Sequence, residues 1–132
     1  MEAKESEDAE INVEKLEQGI RMPLEDPSIA MYWVLVDEED VPVGNVSVTK
    51  EWSDWNAGYY WWIQTIFIRQ EYRGLGCVKI LVSILEKEMK EQGGLELRLY
   101  VHRDNKRARR AYEKVNFELS RYEMMALVPA NP

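Results

Sequence analysis

Residues 66–89 read IFIRQEYRGLGCVKILVSILEKEM. A β-branched and aromatic end gives way to a turn holding two glycines. A segment follows in which Val78, Leu81, Val82, Leu85 and Met89 recur at steps of three and four, opposite Lys79, Ser83, Glu86 and Lys90. That is a strand, a tight turn and an amphipathic helix. Upstream, Tyr59 to Ile68 is a nearly unbroken apolar and aromatic run, the pattern of a strand buried on both faces. Downstream, Gly93 and Gly94 stop the helix, and Leu95, Leu97, Leu99 and Val101 alternate with Glu96, Arg98, Tyr100 and His102. The whole is a βαβ unit, whose second strand runs parallel to the first and beside or close to it.

Working outward, Met31 to Val36 is a strand by its β-branched and aromatic content. The acidic turn Asp37 to Asp40 feeds a second strand, Val41 to Lys50, making an antiparallel hairpin. Glu51 to Gly58 reads as a loop with Trp52 and Trp55 inside it, either as a binding wall or as a lid folded onto the core. Ahead of the hairpin, residues 1–10 are acidic and without periodicity, the pattern of a frayed, partly disordered start. Ile11, Val13, Leu16 and Ile20 then suggest a short helix that Gly19 and Pro23 limit. After the βαβ unit, Asp104 or Asn105 caps a helix with Ala108, Ala111, Tyr112 and Val115 on one face, and Phe117 to Val128 returns as a last strand region.

A chain of 132 residues with 45% hydrophobic content suits one domain, 1–132. One cysteine and one histidine exclude a disulfide framework and a Cys/His zinc cluster, so no metal is expected and a reducing cytoplasm fits. No apolar run reaches eighteen residues and the start is acidic, so nothing targets a membrane. Charge is divided unevenly. Residues 1–66 hold fifteen Asp/Glu against four Lys/Arg, a balance of −11, and residues 67–132 hold nine against thirteen, a balance of +4. An anion is expected on the C-terminal half, the bland alternative being two solvated faces.

In RGLGCV, residues 73–78, glycines between a strand and a helix let backbone N–H groups crowd toward an anion at the positive end of the helix dipole. Arg73 adds a charge suited to bidentate phosphate contact, and Gly74 and Gly76 remove side chains from the approach. Tight strand-to-helix turns also use glycine for geometry alone. The dinucleotide fingerprint fails for want of a third glycine and of an acidic residue ending the next strand, and a Walker loop fails for want of Gly-Lys-Ser/Thr.

Residues 66–89 resemble the acetyl-CoA-binding motif of the GNAT N-acetyltransferases, and NKRARRAYEKVNF, residues 105–117, resembles that family's following motif. The resemblance runs from about Met31 to Phe117, with EWSDW, WWIQ and LRLYV similar to one bacterial-type branch. The family pattern is Arg or Gln, two residues, Gly, one residue, then Gly or Ala. Arg73, Gly76 and Val78 take those places, and Val78 departs from it. The resemblance implies an α/β (α+β) fold, a mixed and mostly antiparallel sheet with a central V-shaped parallel strand pair flanked by helices. It implies acetyl-CoA as cosubstrate, held by the segment from Gln64 to Val78. Pantetheine pairs with backbone of Ile66, Phe67 and Ile68, the phosphates meet Arg73, Gly74, Leu75, Gly76, Cys77 and Val78, and Asn105 bonds the cofactor arm. Some of Arg103, Lys106, Arg107, Arg109 and Arg110 meet the adenosine phosphates. Tyr112 falls where many members keep a tyrosine that protonates the departing thiolate.

Trp62 stands where some members carry a basic glutamate, leaving Glu51, Asp54 or His102 as base candidates. Trp52, Trp55, Trp62 and Gln64 form the expected substrate wall. The family's first strand is not visible ahead of Ile11, which leaves the edge of Met31 to Val36 open to a second chain and makes a homodimer the expectation. The acidic first half favours a cationic, partly apolar primary amine, on a small molecule or a peptide. The rival reading is a non-catalytic acyl-CoA-binding or regulatory domain. Nucleic-acid binding by residues 103–110 is disfavoured by net charge and by the lack of interleaved aromatics.

Overall fold

The computed structural model describes residues 13–130, so the expectations for residues 1–10, for Ile11 and for a strand before it lie outside the described residues. In chain order the elements are α1 (Val13–Glu25), β1 (Met31–Val36), β2 (Pro42–Ser53), β3 (Gly58–Ile68), a 3-10 turn (Gln70–Tyr72), α2 (Cys77–Glu91), β4 (Glu96–Leu99) and α3 (Lys106–Lys114). The sheet has the order β1-β2-β3-β4, antiparallel at its first two junctions and parallel between β3 and β4. The mixed α/β architecture is thus the one the sequence implied.

The hairpin turn closes on its own chemistry. Asp37 Oδ1 accepts hydrogen bonds from the N–H groups of Glu39 and Val41, at 2.8 and 3.0 Å, while Asp40 takes a left-handed φ of 63°. β2 and β3 then pair from Gly44↔Ile68 to Ser53↔Gly58, so Glu51, Trp52 and Ser53 are strand residues and the connection shrinks to Asp54–Ala57. The expected longer loop is corrected here, because ladder hydrogen bonds extend the hairpin beyond its apolar pattern.

One side of the sheet is covered by α2. Leu81, Leu85, Met89 and Cys77 pack on Val46, Val48, Trp61 and Ile63, and Leu85 and Val48 are fully buried. Trp33 adds a ring 6.0 Å from that of Trp61. β3 alternates rather than being buried on both faces, with buried Trp61 and Ile63 set between half-buried Tyr60 and Trp62, and with Gln64 and Thr65 exposed where the strand changes register. A period of two serves a sheet with one covered side.

Three further expectations need correcting. α1 passes through Gly19 and the buried Pro23 to end at Glu25, since a proline near the C-terminal end forfeits a single helical bond. β4 stops at Leu99 instead of reaching Val101. The region 117–128 forms no strand. Phe117 packs against the core, but Leu119, Tyr122, Met124, Met125, Leu127 and Val128 are exposed, and no segment among the described residues pairs with their backbone. The parallel pair β3 and β4 therefore stands at the side of the described sheet.

Candidate active site

β3 and β4 part in mid-course. Their pairing runs through Tyr60↔Glu96, Trp61↔Leu97, Trp62↔Arg98 and Ile63↔Leu99 and then stops, although β3 continues to Ile68. The register on the other side of β3 shifts at the same point. Ser47 faces Thr65 and Val48 faces Ile63, which makes Gln64 an extra residue without an opposite number. Such a bulge bends its strand and tightens its twist, turning residues 65–68 away from the line of β4. Gln64, Ile66, Phe67 and Ile68 thus lie along one arm of a fork. Their β4-facing edge has no strand partner among the described residues.

Beyond the arm, the chain is pinned before it enters α2. Arg69 N–H donates to the Val43 carbonyl at 2.8 Å, and Tyr72 N–H to the Arg69 carbonyl at 2.9 Å. Arg73 Nε donates to the Ile68 carbonyl at 2.9 Å, and its guanidinium lies 5.8 Å from the Phe67 ring centre. Arg73 therefore ties the loop back to the end of β3, a positioning contact that sequence reasoning missed. Gly74 and Gly76 have φ of 79° and 83°, and a Cβ at either would meet nothing within 4 Å. Their necessity is conformational rather than a matter of crowding. Gly76 is the N-cap of α2 and supplies no side-chain hydrogen bond, so the first-turn N–H groups of α2 face outward as donors. Leu75 is exposed at the turn, whereas Cys77 is buried as a free thiol and Val78 packs against the core, its branched side chain directed inward.

The second motif approaches from the other arm. Asn105 caps α3, its Oδ1 accepting from Ala108 N–H at 3.1 Å, which leaves the side-chain NH2 to donate elsewhere. Tyr112 is half-buried, its ring edge-on to Phe117 at 5.9 Å between centres. Arg103, Lys106, Arg107, Arg109 and Arg110 are all exposed, and Arg109 pairs with Glu113 at 3.2 Å.

Beside the fork, on the sheet side away from α2, is an aromatic and charged surface. The Trp62 ring stacks on Tyr100 at 4.5 Å, and its Nε1 donates to Glu51 Oε1 at 2.7 Å. The Arg98 guanidinium lies 3.5 Å from the centre of the Tyr60 ring, while Tyr60 Oη pairs with Asn56 Nδ2 at 2.6 Å. Trp55, 92% exposed at the hairpin turn, lines the adjoining groove. Trp52 does not join this wall. Paired with Tyr59 and stacked edge-on against it at 5.1 Å, it falls on the α2 side by strand alternation. Of the base candidates, Glu51 adjoins Trp62, Asp54 lies in the exposed turn, and His102 is exposed with its Nδ1 accepting from Asp104 N–H at 3.1 Å. That bond assigns the proton of neutral His102 to Nε2 and engages the lone pair a base would use. The Glu51 and Trp62 contact follows from cross-strand register, which no residue pattern in either strand encodes.

A family model described as the acetyltransferase (GNAT) family matches residues 2–117. Among solved structures, one described as a possible acetyltransferase from Clostridium difficile 630 is 30% identical, with a TM-score of 0.90 over 98% of this chain and 85% of that one. A ribosomal-protein-alanine N-acetyltransferase from Brucella melitensis biovar Abortus 2308 is 18% identical with a TM-score of 0.72, over 85% of this chain and 79% of that one. A transcriptional regulator from Bacillus halodurans C-125 shares the fold at 20% identity and a TM-score of 0.72, over 89% of this chain and 77% of that one. No curated protein matches the chain.

Since a Cβ at Gly76 meets open space, Gly76→Ala tests the left-handed turn alone. Urea denaturation is expected to show a loss of about 1–2 kcal/mol, the strain of an L-residue in that conformation. An unchanged midpoint and slope would mean that the turn relaxes out of it.

Proposed function

Because the chain belongs to the GNAT acetyltransferase family, we propose that it transfers an acetyl group from acetyl-CoA to a primary amine by direct attack of the amine on the thioester. The observation carrying this reading is the fork. A strand edge free of partners from Gln64 to Ile68 suits a linear group bearing amides, and the outward N–H groups at the start of α2 suit a pyrophosphate. Both features come from one continuous segment, so a single ligand of that composition spans them. Acetyl-CoA, when bound, supplies an acyl group on a good leaving thiolate.

The chain's own residues do the rest. Arg73 holds the Ile68 carbonyl and fixes the spacing between strand edge and helix start. The Asn105 side-chain NH2, left over by the cap at the start of α3, supplies a further donor. Glu51, oriented by Trp62 Nε1–H, is the carboxylate best suited to attract the incoming ammonium and take its proton. Tyr112, in the last turn of α3 and anchored on Phe117, donates the proton to the departing thiolate. The second reading, an acyl-CoA-binding domain without turnover, draws on Trp62 standing where a carboxylate serves elsewhere in the family.

Two outcomes are expected. Coenzyme A raises the melting temperature, as binding to the native state alone must. Tyr112→Phe then retains folding and coenzyme A affinity while acetyl-CoA turnover, followed by thiol release over a panel of amines, falls about 100-fold or more. Turnover within about threefold of the parent makes Tyr112 a core residue, and binding without turnover on any amine selects the second reading.

The proposal includes self-association. β1 has no strand beyond it among the described residues, and Val34 and Val36 on it are exposed. A sheet edge of this kind pairs readily with a second copy. Sedimentation is expected to show dimers, and monomer alone at high micromolar concentration would overturn this part.

A further inference from the structure

We propose that the groove beside the fork selects an acceptor amine that also carries a carboxylate and an aromatic ring, with Arg98 reading the carboxylate. The proposal rests on the acetyl-transfer reading and names its acceptor class. The groove is shallow and open to solvent, offers about 360 Å³ and is lined by Ser53, Trp55, Asn56, Tyr60, Arg98 and Tyr122. Of these only Arg98 is charged. Its backbone sits opposite Trp62, one residue before the last β3 and β4 pair, and its guanidinium lies over Tyr60 and 5.8 Å from the Trp62 ring centre, so a ligand it holds reaches the fork past Trp62.

Arg98 is built as a fixed reader. Its side chain is 28% exposed, less than those of Arg69, Lys90 and Arg109 in their ion pairs, and its flat face rests on Tyr60. Glu96 Oε2 takes Nε at 3.3 Å and thereby holds one edge of the guanidinium. No carboxylate among the described residues takes the remaining Nη pair. A guanidinium stacked and held on one edge presents the other two donors in a fork matched to a carboxylate. Trp55 and Tyr122, 92% and 85% exposed, flank the groove as open rings, and a planar apolar group lodges against them. Glu51 stands across Tyr60 and Trp62 from Arg98, on β2 with β3 between them, where it attracts the ammonium.

This revises the expectation of a cationic acceptor drawn from the acidic first half of the chain. Summed charge acts through solvent and fades over a Debye length of about 8–10 Å, whereas Arg98 acts at contact. The local charge governs, and the acceptor is zwitterionic rather than purely cationic.

Calorimetric titration of L-tryptophan and of L-tryptophanamide tests this, each with and without saturating coenzyme A. The two probes share ring and amine and differ in the carboxylate. The full chain is expected to bind L-tryptophan at least about tenfold tighter than the amide. In Arg98→Gln the ratio falls to within about threefold of unity, and in Arg98→Lys it is intermediate, because a point charge replaces the fork. Thermal melts show that each variant folds. Equal affinity of the two probes, survival of the preference in Arg98→Gln, or no binding of either at about 10 mM, roughly tenfold beyond the weak end of ordinary substrate affinities, overturns the inference. Failure of coenzyme A to bind while L-tryptophan shows the preference overturns the acetyl-CoA reading, and with it the acceptor role, and leaves Arg98 only as a reader of carboxylates.

Discussion

One extra residue, Gln64, sets where β3 and β4 separate. The register with β2 shifts by one at Ser47 and Val48, and the ladder to β4 ends at the adjacent pair Ile63↔Leu99. A bulge bends its strand and tightens the local twist, and here the ladder to β4 ends at that bend. From that follow the exposed backbone edge of residues 64–68, the position of Trp62 and Arg98 at the base of the fork, and the distance from strand to helix that Arg73 bridges. The core is the fixed counterpart. α2 is seated by Leu81, Leu85 and Met89 on Trp61 and Ile63, so its uncapped first turn is held rigidly beside the fork.

Much of this was legible in the sequence. The step of three and four from Val78 to Met89 reports one wet and one dry face, and the glycines of RGLGCV report left-handed φ values; both are local properties that residue type encodes. The hairpin turn was equally local, because Asp37 satisfies it with its own carboxylate. What escaped was relational. The bulge at Gln64, the Glu51 hydrogen bond to Trp62 and the stacking of Arg98 on Tyr60 each depend on register between strands, and an alternating pattern is nearly as content one step away. Strand ends escaped for a related reason. Trp52 extends β2 because β3 pairs with it, while the apolar residues from Leu119 to Val128 form no strand, having no ladder partner among the described residues.

The charge distribution shows the same division between composition and place. A half-chain balance of −11 describes what surrounds the molecule, and the groove contains one arginine. Of the four residues expected to form a substrate wall, Trp55 and Trp62 share a sheet side, Gln64 marks the fork, and Trp52 lies on the other side with Tyr59. Strand alternation sorted them, as a period of two must.

The central claim is that the unpaired arm of β3 and the first turn of α2 together hold coenzyme A. Amide hydrogen exchange with and without the ligand measures it at the atoms concerned. The account predicts slower exchange at amides within residues 64–68 and 76–79 on adding coenzyme A, with β1 and the hairpin turn Asp37–Asp40 unchanged. Protection confined to other segments, or none at saturating ligand, would contradict it.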